Sequence, residues 1–242
     1  MKIKKIEFVV LGVIVFILSG ILFLSLSGFS LQQMLNQTSE NIETREYTFN
    51  SISEMEIDLV SSHLEIEAID TNEIKVIVSG TKLDWIEVKQ KGAMLNIRHK
   101  SSFFNFGFFQ GYVNVKVIIP QRMLDEIDID TVSGGVVIKG VQAKKMVVNS
   151  VSGKMWLDQI DFDLLDFDTV SGNVDLLVKG DFNQIDGDSV SGSTTIWLEG
   201  VDCVELNADT LSGQVINEFK GCAGQNIINI NNVSGSIRIL RK

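Results

Sequence analysis

The stretch DTVSGNVDL, residues 168–176, is a Ser-Gly turn between two short apolar runs. Nearly the same stretch recurs along the C-terminal half of the chain. The other copies are DTVSGGVVI at 130–138, NSVSGKMWL at 149–157, DSVSGSTTI at 188–196, DTLSGQVIN at 209–217 and NNVSGSIRI at 231–239. Catalysis by a serine requires one copy, so the repetition indicates a structural unit.

The spacing of the repeated serines is typical of a solenoid. Successive serines are 19, 19, 20, 21 and 22 residues apart, and periods of this size form stacked coils. The positions six and four before each serine, and three and five after it, are mostly apolar. This period-two alternation predicts a strand on each side of the turn, with one buried face. We therefore predict an all-β solenoid of about six to seven coils. The serines are Ser133, Ser152, Ser171, Ser191, Ser212 and Ser234.

The residues around each serine are typical of a repeated corner. A glycine follows every serine, which predicts a backbone conformation that a side chain would forbid. Asp or Asn stands three residues before, where its side chain can hydrogen-bond the backbone of the turn. Thr or Ser follows that residue in five copies and can form a ladder with its neighbours. The glycines are Gly134, Gly153, Gly172, Gly192, Gly213 and Gly235. The Asp and Asn residues are Asp130, Asn149, Asp168, Asp188, Asp209 and Asn231.

Calcium binding is the alternative interpretation of the repeated carboxylates. Calcium-binding β-rolls use a denser glycine pattern, GGxGxD, which this sequence lacks. No base accompanies the serines, because His63 and His99 occur in unrelated contexts. We therefore assign no catalytic residue, no metal site and no cofactor.

An earlier copy of the pattern, MEIDLVSSHLEIEA, occupies residues 55–68. Ser61 takes the place of the serine, and Ser62 replaces the glycine. We interpret this stretch as a first coil, which an insertion at residues 69–119 separates from the others.

The N-terminal region predicts a membrane anchor. Residues 8–27 contain no charge, and a run of about 20 apolar residues spans a bilayer as a helix. The basic tip at residues 1–7 contains Lys2, Lys4 and Lys5, which places the N-terminus in the cytoplasm by the positive-inside rule. A cleaved signal peptide is the alternative, but its apolar region is shorter and ends in a small-residue cleavage site. Residues 28–46 then form a polar spacer, and residues 47–242 form the extracytoplasmic solenoid.

The charge and the cysteines limit the partners and the compartment. The chain carries a net charge of −10, so nucleic acid and anionic lipid surfaces are unfavourable partners for its body. Cys203 and Cys222 have neither a disulfide framework nor metal-site spacing. A disulfide between them stays an open alternative in an oxidising compartment, although their different offsets from the repeat serines argue against a shared column.

A phenylalanine-rich stretch, SSFFNFGFFQG, occupies residues 101–111. One interpretation is a plug that covers an open end of the solenoid. The other is an exposed apolar loop that contacts the outer leaflet or a partner. The residues concerned are Phe103, Phe104, Phe106, Phe108 and Phe109.

The chain ends directly after the last repeat. Arg238, Arg241 and Lys242 can blunt the edge of the final coil with charge. Otherwise we expect the C-terminal coil to form a homo-oligomer or to meet a partner.

Residues 113–120 (VNVKVIIP) and 124–138 (LDEIDIDTVSGGVVI), followed by the serial Val-Ser-Gly units, resemble a bacterial family. This is the "putative adhesin" domain of unknown function, found in membrane-anchored envelope proteins, especially of Gram-positive bacteria. It includes the LiaG type linked to cell-envelope stress operons. The resemblance covers residues 47–241 and implies a β-solenoid at the cell surface, with no catalytic residues to transfer. Ser62 and the phenylalanine-rich stretch depart from the pattern.

These observations favour a binding or scaffold protein of the bacterial cell envelope over an enzyme. We expect it to contact an envelope or membrane protein, in envelope-stress signalling. One alternative is an adhesin that binds wall glycan or a host surface. However, Trp156 and Trp197, four and six residues after their serines, form no clear aromatic stripe. A carbohydrate-active β-helix enzyme is less favoured, because such enzymes require focused carboxylates and the acids here are spread along the repeat.

Overall fold

The computed structural model describes residues 42–100 and 112–242. These residues form eighteen strands and a 3-10 helix at Leu83–Trp85. The strands are β1 Glu43–Phe49, β2 Glu54–Ile69, β3 Ile74–Gly80, β4 Ile86–Lys91, β5 Met94–His99, β6 Val113–Pro120, β7 Leu124–Ser133, β8 Val136–Lys139, β9 Gln142–Ser152, β10 Met155–Ser171, β11 Val174–Lys179, β12 Gln184–Ser191, β13 Thr194–Glu199, β14 Cys203–Ser212, β15 Val215–Asn217, β16 Lys220–Gly221, β17 Ile227–Ser234 and β18 Ile237–Arg241.

The strands stack as coils, and each coil passes from one sheet to the other at the Ser-Gly corner. Sheet B contains the segments before the corner, and sheet A contains those after it. Pairing from coil to coil is parallel and in register in both sheets, which confirms the predicted all-β solenoid. The predicted number of six to seven coils is too low, because the described residues form eight. In spatial order, coil 1 is β5–β6, coil 2 is β2, coil 3 is β7–β8, coil 4 is β9 and the first part of β10, coil 5 is the rest of β10 and β11, coil 6 is β12–β13, coil 7 is β17–β18 and coil 8 is β14–β15.

The core lies between the two sheets and consists of the apolar columns of the repeat. Residues six and four before the serine, and three and five after it, are buried in coils 3 to 7. In the column four residues before the serine, the large Phe167 side chain lies beside Gly187, which has no side chain. A Cβ on Gly187 would overlap the ring of Phe167 in the coil beside it. Sequence alternation therefore defines the core because each coil buries the same positions against its neighbours.

Part of the segment treated as an insertion, residues 69–119, forms a coil of its own. β5 pairs in parallel with the first half of β2, so that Ile97 lies beside Ile57. β6 pairs in parallel with the second half, so that Val115 lies beside Leu64. The alternation in β5 and β6 is that of the repeat, although no Val-Ser-Gly sequence joins them. β4, β3 and β1 then add antiparallel strands at this end of the stack.

The C-terminal coil does not form the end of the stack. β17 pairs with β12 on one side and with β14 on the other, and β18 lies between β13 and β15. The expectation that Arg238 and Arg241 blunt a terminal edge is therefore wrong. The Arg241 guanidinium instead lies 4.2 Å from the centroid of the Phe219 ring and donates to the carbonyl oxygen of Asp202 at 3.2 Å. Coil 8 is the exposed end, and any self-association of this end would use β14 and β15.

Two connections hold coil 8 in this place. Cys203 and Cys222 form a disulfide, because the short pair β14–β16 brings their strands together despite the different offsets. Buried Asn226 bridges three segments. Its Nδ2 donates to Asp181 Oδ1 at 3.1 Å and to the carbonyl oxygen of Cys203 at 3.2 Å, and its Oδ1 accepts from the backbone N–H of Phe182 at 2.9 Å.

Several predictions fall outside the described residues. They concern the basic tip at 1–7, the anchor at 8–27 and the phenylalanine-rich stretch at 101–111. Among the residues that the structure covers, no helix is long and apolar enough to cross a membrane. Residues 43–46, which we predicted as part of the polar spacer, instead belong to β1, which begins at Glu43.

Candidate functional site

The repeat serines form a column at the corner where sheet B passes into sheet A. Ser133, Ser152 and Ser171 are register partners, and Ser191, Ser234 and Ser212 continue the column. The Ser133 hydroxyl donates to the carbonyl oxygen of Val60 at 3.2 Å. A side chain that binds the backbone of the neighbouring coil stabilises the corner, which supports a structural role for the column.

The corner glycines form a second column in which no side chain fits. Gly172 has φ +144, and a Cβ there would overlap the carbonyl oxygen of Gly153. The same overlap occurs at Gly134, Gly153, Gly192, Gly213 and Gly235. Both the backbone conformation and the close approach of the neighbouring coil therefore require glycine.

The Asp and Asn column faces outwards from sheet B. Asn149 Nδ2 donates to Asp130 Oδ1 at 2.9 Å, and Asn231 Nδ2 donates to Asp188 Oδ1 at 3.0 Å. We expected bonds from these side chains to the following turn. They instead reach one another because strand alternation places them on the outer surface, one strand spacing apart.

A second polar column runs beside this one, two residues earlier in each strand. Asn207 Nδ2 donates to Asn229 Oδ1 at 2.9 Å, and Asn229 Nδ2 donates to Asp186 Oδ1 at 2.8 Å. Together the columns make an acidic surface, which we call the acidic face. Its carboxylates are Glu56, Asp58, Asp128, Asp130, Asp166, Asp168, Asp186, Asp188 and Asp209.

Two carboxylates of the acidic face, Asp58 and Asp128, have raised pKa values. Partial burial, with the nearby carboxylates of Asp130 and Glu126, raises the pKa of Asp128. Partial burial, together with the carboxylates of Glu56 and Asp130, likewise raises the pKa of Asp58. The acidic face therefore carries a repulsive field that disfavours anionic ligands and favours cationic ones.

The outer face of sheet A has a different chemistry. In its first coils, Lys116 Nζ lies 2.9 Å from Glu67 Oε2 and 3.7 Å from Glu65 Oε1. Lys139 Nζ lies 3.0 Å from Glu65 Oε1, and the hydrogen bond from Lys139 is the main cause that lowers the pKa of Glu65. Opposite charges therefore neutralise this part of the face.

In coils 4 to 7, the outer face of sheet A carries aromatic and aliphatic side chains. Trp156 is 47% exposed. Leu177 pairs with Trp197, and Trp197 pairs with Leu240. Trp156 and Trp197 do not pair with one another, but they lie on the same side of the sheet, because their offsets of four and six residues are both even. Even offsets place both rings on the outer side of the same sheet.

The residue directly before each serine forms an exposed apolar column, which sequence reasoning missed. Val132, Val190 and Val233 are exposed, and Leu211 in coil 8 is 85% exposed. The signal was present, because this position is always Val or Leu and has the parity of the outward residues.

The two histidines have different surroundings. His99 is buried, and its Nδ1 accepts from the backbone N–H of Val60 at 3.0 Å. Burial lowers the pKa of His99 to about 4, so the ring is neutral at pH 7. His63 is exposed on sheet A.

No set of metal ligands occurs in the part of the chain that the structure covers. No group of three or more His, Cys, Asp or Glu residues there is placed to hold a metal ion. The Phe103, Phe104, Phe106, Phe108 and Phe109 side chains lie outside it.

The family description Toastrack DUF4097 matches residues 52–242, which is most of the chain and all of coils 1 to 8. The chain belongs to the Toastrack DUF4097 family. The resemblance drawn from the Val-Ser-Gly units is thereby confirmed.

The fold of the chain is similar to that of a solved structure. A "putative cell adhesion protein" from Clostridium sporogenes superposes with a TM-score of 0.54 at 15% identity, covering 84% of this chain and 100% of that one. A "putative adhesin" from Bacteroides fragilis gives a TM-score of 0.48 at 15% identity, covering 84% and 98%. None of the curated proteins matches the chain.

Proposed function

We propose that this Toastrack protein is a membrane-anchored, extracytoplasmic binding or scaffold protein of the bacterial cell envelope. The uncharged residues 8–27, preceded by Lys2, Lys4 and Lys5, support the anchor and its orientation. The Cys203–Cys222 disulfide supports an oxidising compartment, because disulfides persist outside the cytosol and are rare within it.

The observation that carries the proposal is the pair of long outer faces. Parallel, in-register pairing fixes every outward side chain relative to its neighbours in the next coil. Solenoids use such extended, regular surfaces for binding. The acidic face presents carboxylates and the opposite face presents tryptophans, so the two faces suit different partners. We propose that one of these contacts is with an envelope protein and serves envelope-stress signalling.

In-cell photocrosslinking of the full anchored chain tests this proposal. A photoreactive residue replaces Asp166 on the acidic face, Lys154 on the outer face of sheet A, or Glu73 in an exposed loop as the matched control. We expect one envelope protein to be captured from one face and not from Glu73. The double variant Phe104→Ser and Phe108→Ser tests the contact proposed for the phenylalanine-rich stretch. Absence of capture at every position would contradict a protein scaffold.

Thiol labelling of intact cells tests the location independently. We expect Cys203 and Cys222 to resist a maleimide until a reductant is added. Labelling without reductant would contradict an oxidising location.

A second candidate, adhesion to wall glycan or to a host surface, is favoured by one specific observation. Trp156, which is exposed, and Trp197, which is half-buried, share the outer side of sheet A, and indoles on an outer surface are suitable platforms for sugar rings.

A further inference from the structure

The outer face of sheet A in coils 4 to 7 carries a compact group of apolar side chains, which we call the tryptophan face. It consists of Trp156, Leu177, Trp197 and Leu240. Trp156 lies in coil 4 and pairs with Asp175 in coil 5. Leu177, two residues further along coil 5, pairs with Trp197 in coil 6. The two indoles therefore lie on a diagonal with Leu177 between their coils.

The spacing of the indoles follows from sheet geometry. Two strand spacings separate their coils, and two residues separate their positions along the strand. With about 4.8 Å between strands and about 3.3 Å per residue, their Cα atoms are about 12 Å apart. Because both lie on paired strands, their separation is fixed before a ligand arrives, which reduces the entropy lost on binding.

A polar column runs directly alongside the tryptophan face. Its residues stand two after each serine and include Asn173, Ser193 and Ser236. Asn173 Oδ1 accepts from the backbone N–H of Ser193 at 3.0 Å, which orients the amide and leaves Nδ2 as a donor. Ser193 Oγ accepts from the backbone N–H of Ser236 at 3.3 Å, so its hydroxyl proton stays available. Oriented donors thus lie beside the exposed rings.

The charge of the tryptophan face differs from that of the acidic face. Lys154 Nζ lies 2.7 Å from Asp175 Oδ2 and 5.5 Å from the Trp156 ring centroid. Arg238 adds a cation in coil 7, in the same column of the sheet as Trp156. The acidic face repels anionic polymers, whereas the tryptophan face has balanced charge and admits a neutral or weakly anionic one.

We propose that the tryptophan face binds the glycan strand of the cell's own wall, a linear polymer of N-acetylated sugars. The apolar face of a sugar ring stacks on an indole, whose electron-rich surface attracts the ring's C–H groups. The hydroxyl and acetamido groups at the rim of the same sugar meet Asn173 and Ser193. A protein partner would instead require a dehydrated centre with polar groups only at its rim.

This inference rests on the proposed anchored, extracytoplasmic location.

The full chain in detergent micelles, with two glycan probes, provides the test. Chitohexaose is titrated against tryptophan fluorescence, and purified wall sacculi, stripped of protein and anionic polymers, are used for co-sedimentation. We expect the wild type to bind both probes. Trp156→Ala combined with Trp197→Ala should weaken binding at least tenfold, while Trp156→Phe should retain part of it. Leu211→Ala, which removes an exposed apolar side chain outside the face, is the matched control and should bind as the wild type does.

Thermal unfolding separates loss of binding from loss of fold, since both indoles lie on the outer surface. Two results would overturn the inference: no binding of either probe by the wild type, or equal binding by the double variant. A third result is that a photoreactive residue at position Lys154 captures an envelope protein, that the double variant loses this capture, and that no glycan binds. The tryptophan face would then be a protein-docking face. In that case the proposed scaffold function stands and the glycan inference falls.

Discussion

The two outer faces of the stack share one backbone and differ in nearly everything that a ligand would meet. The acidic face repeats Asp and Asn at the same two positions in most coils. The outer face of sheet A begins with ion pairs around Lys116 and continues with Trp156 and Trp197. The core and the corner restrict only the inward side chains and the glycines. Outward positions are free to change, so a solenoid of this kind can combine two unrelated surfaces.

The corner is the element that both faces depend on, and changing it has the largest expected effect. Gly172→Ala places a Cβ against the carbonyl oxygen of Gly153 and strains a backbone at φ +144. Strain and overpacking together should lower the free energy of unfolding by about 4 kcal/mol, measured by urea denaturation. Gly180→Ala is the control, since φ is +81 there but nothing lies near the added atom. We expect a loss of about 1 kcal/mol from it. Equal losses would refute the stacking argument.

The next largest expected effect concerns His99, which is buried at the end of β5. Its contribution to the free energy of unfolding depends on pH. Its folded pKa is about 4, below the ordinary value of 6.5. Between these values the unfolded state binds more protons, so stability falls as pH decreases from 6.5 to 4. The expected loss is about 3 kcal/mol. His99→Gln keeps an acceptor for Val60 N–H and should remove this part of the pH dependence. Chemical denaturation at pH 4.5 and 7 compares the two proteins, and parallel profiles would disprove the assignment.

Glu65 lies in the part of the outer face of sheet A where ion pairs with Lys116 and Lys139 neutralise its charge. Its pKa is lowered, so its stabilising contribution is present above pH 4.5 and is lost as pH falls through the lowered value. At pH 7, Glu65→Gln should reduce the free energy of unfolding by about 0.5–1 kcal/mol, since the ion pairs are partly exposed. High salt should shrink this difference, and unfolding at two salt concentrations measures it.

Asp128 on the acidic face should respond with the opposite sign. Its pKa is raised, so the contribution that favours folding exists below pH 3.8 and disappears as pH rises through the raised value. At pH 7, Asp128→Asn should therefore increase the free energy of unfolding by about 0.5 kcal/mol. Salt should raise the stability of the wild type more than that of the variant. A destabilised variant would show that the carboxylate has a favourable partner.

The sequence predicted the repeated coil well because one pattern repeats in every unit. Alternation about each serine identified the buried columns, and the Ser-Gly pair identified the corner. β5 and β6 were harder to assign, since they have the alternation without the Val-Ser-Gly signal. The even offsets of Trp156 and Trp197 from their serines already place both on one side of the sheet, whereas their diagonal arrangement around Leu177 depends on the register of the coils.

The order of the last two coils was beyond sequence reasoning for a physical reason. Every coil presents the same parallel edges, so each can pair with any other. The choice depends on contacts outside the repeat, such as Asn226 with Asp181 and Cys203 with Cys222. These residues occur once and carry no periodic signal.

The interior position of β17 and β18 has a consequence for biogenesis. Coils 2 to 6 can assemble one after another as the chain is synthesised, but coil 8 pairs in sheets A and B only with strands that are synthesised after it. The stack is therefore completed by its final residues, which insert between two coils already synthesised. A chain clipped near Arg238 would lose the middle of this region and leave coil 8 attached through the return segment. Removal of β18 would therefore separate β13 from β15 in sheet A, because β18 lies between them.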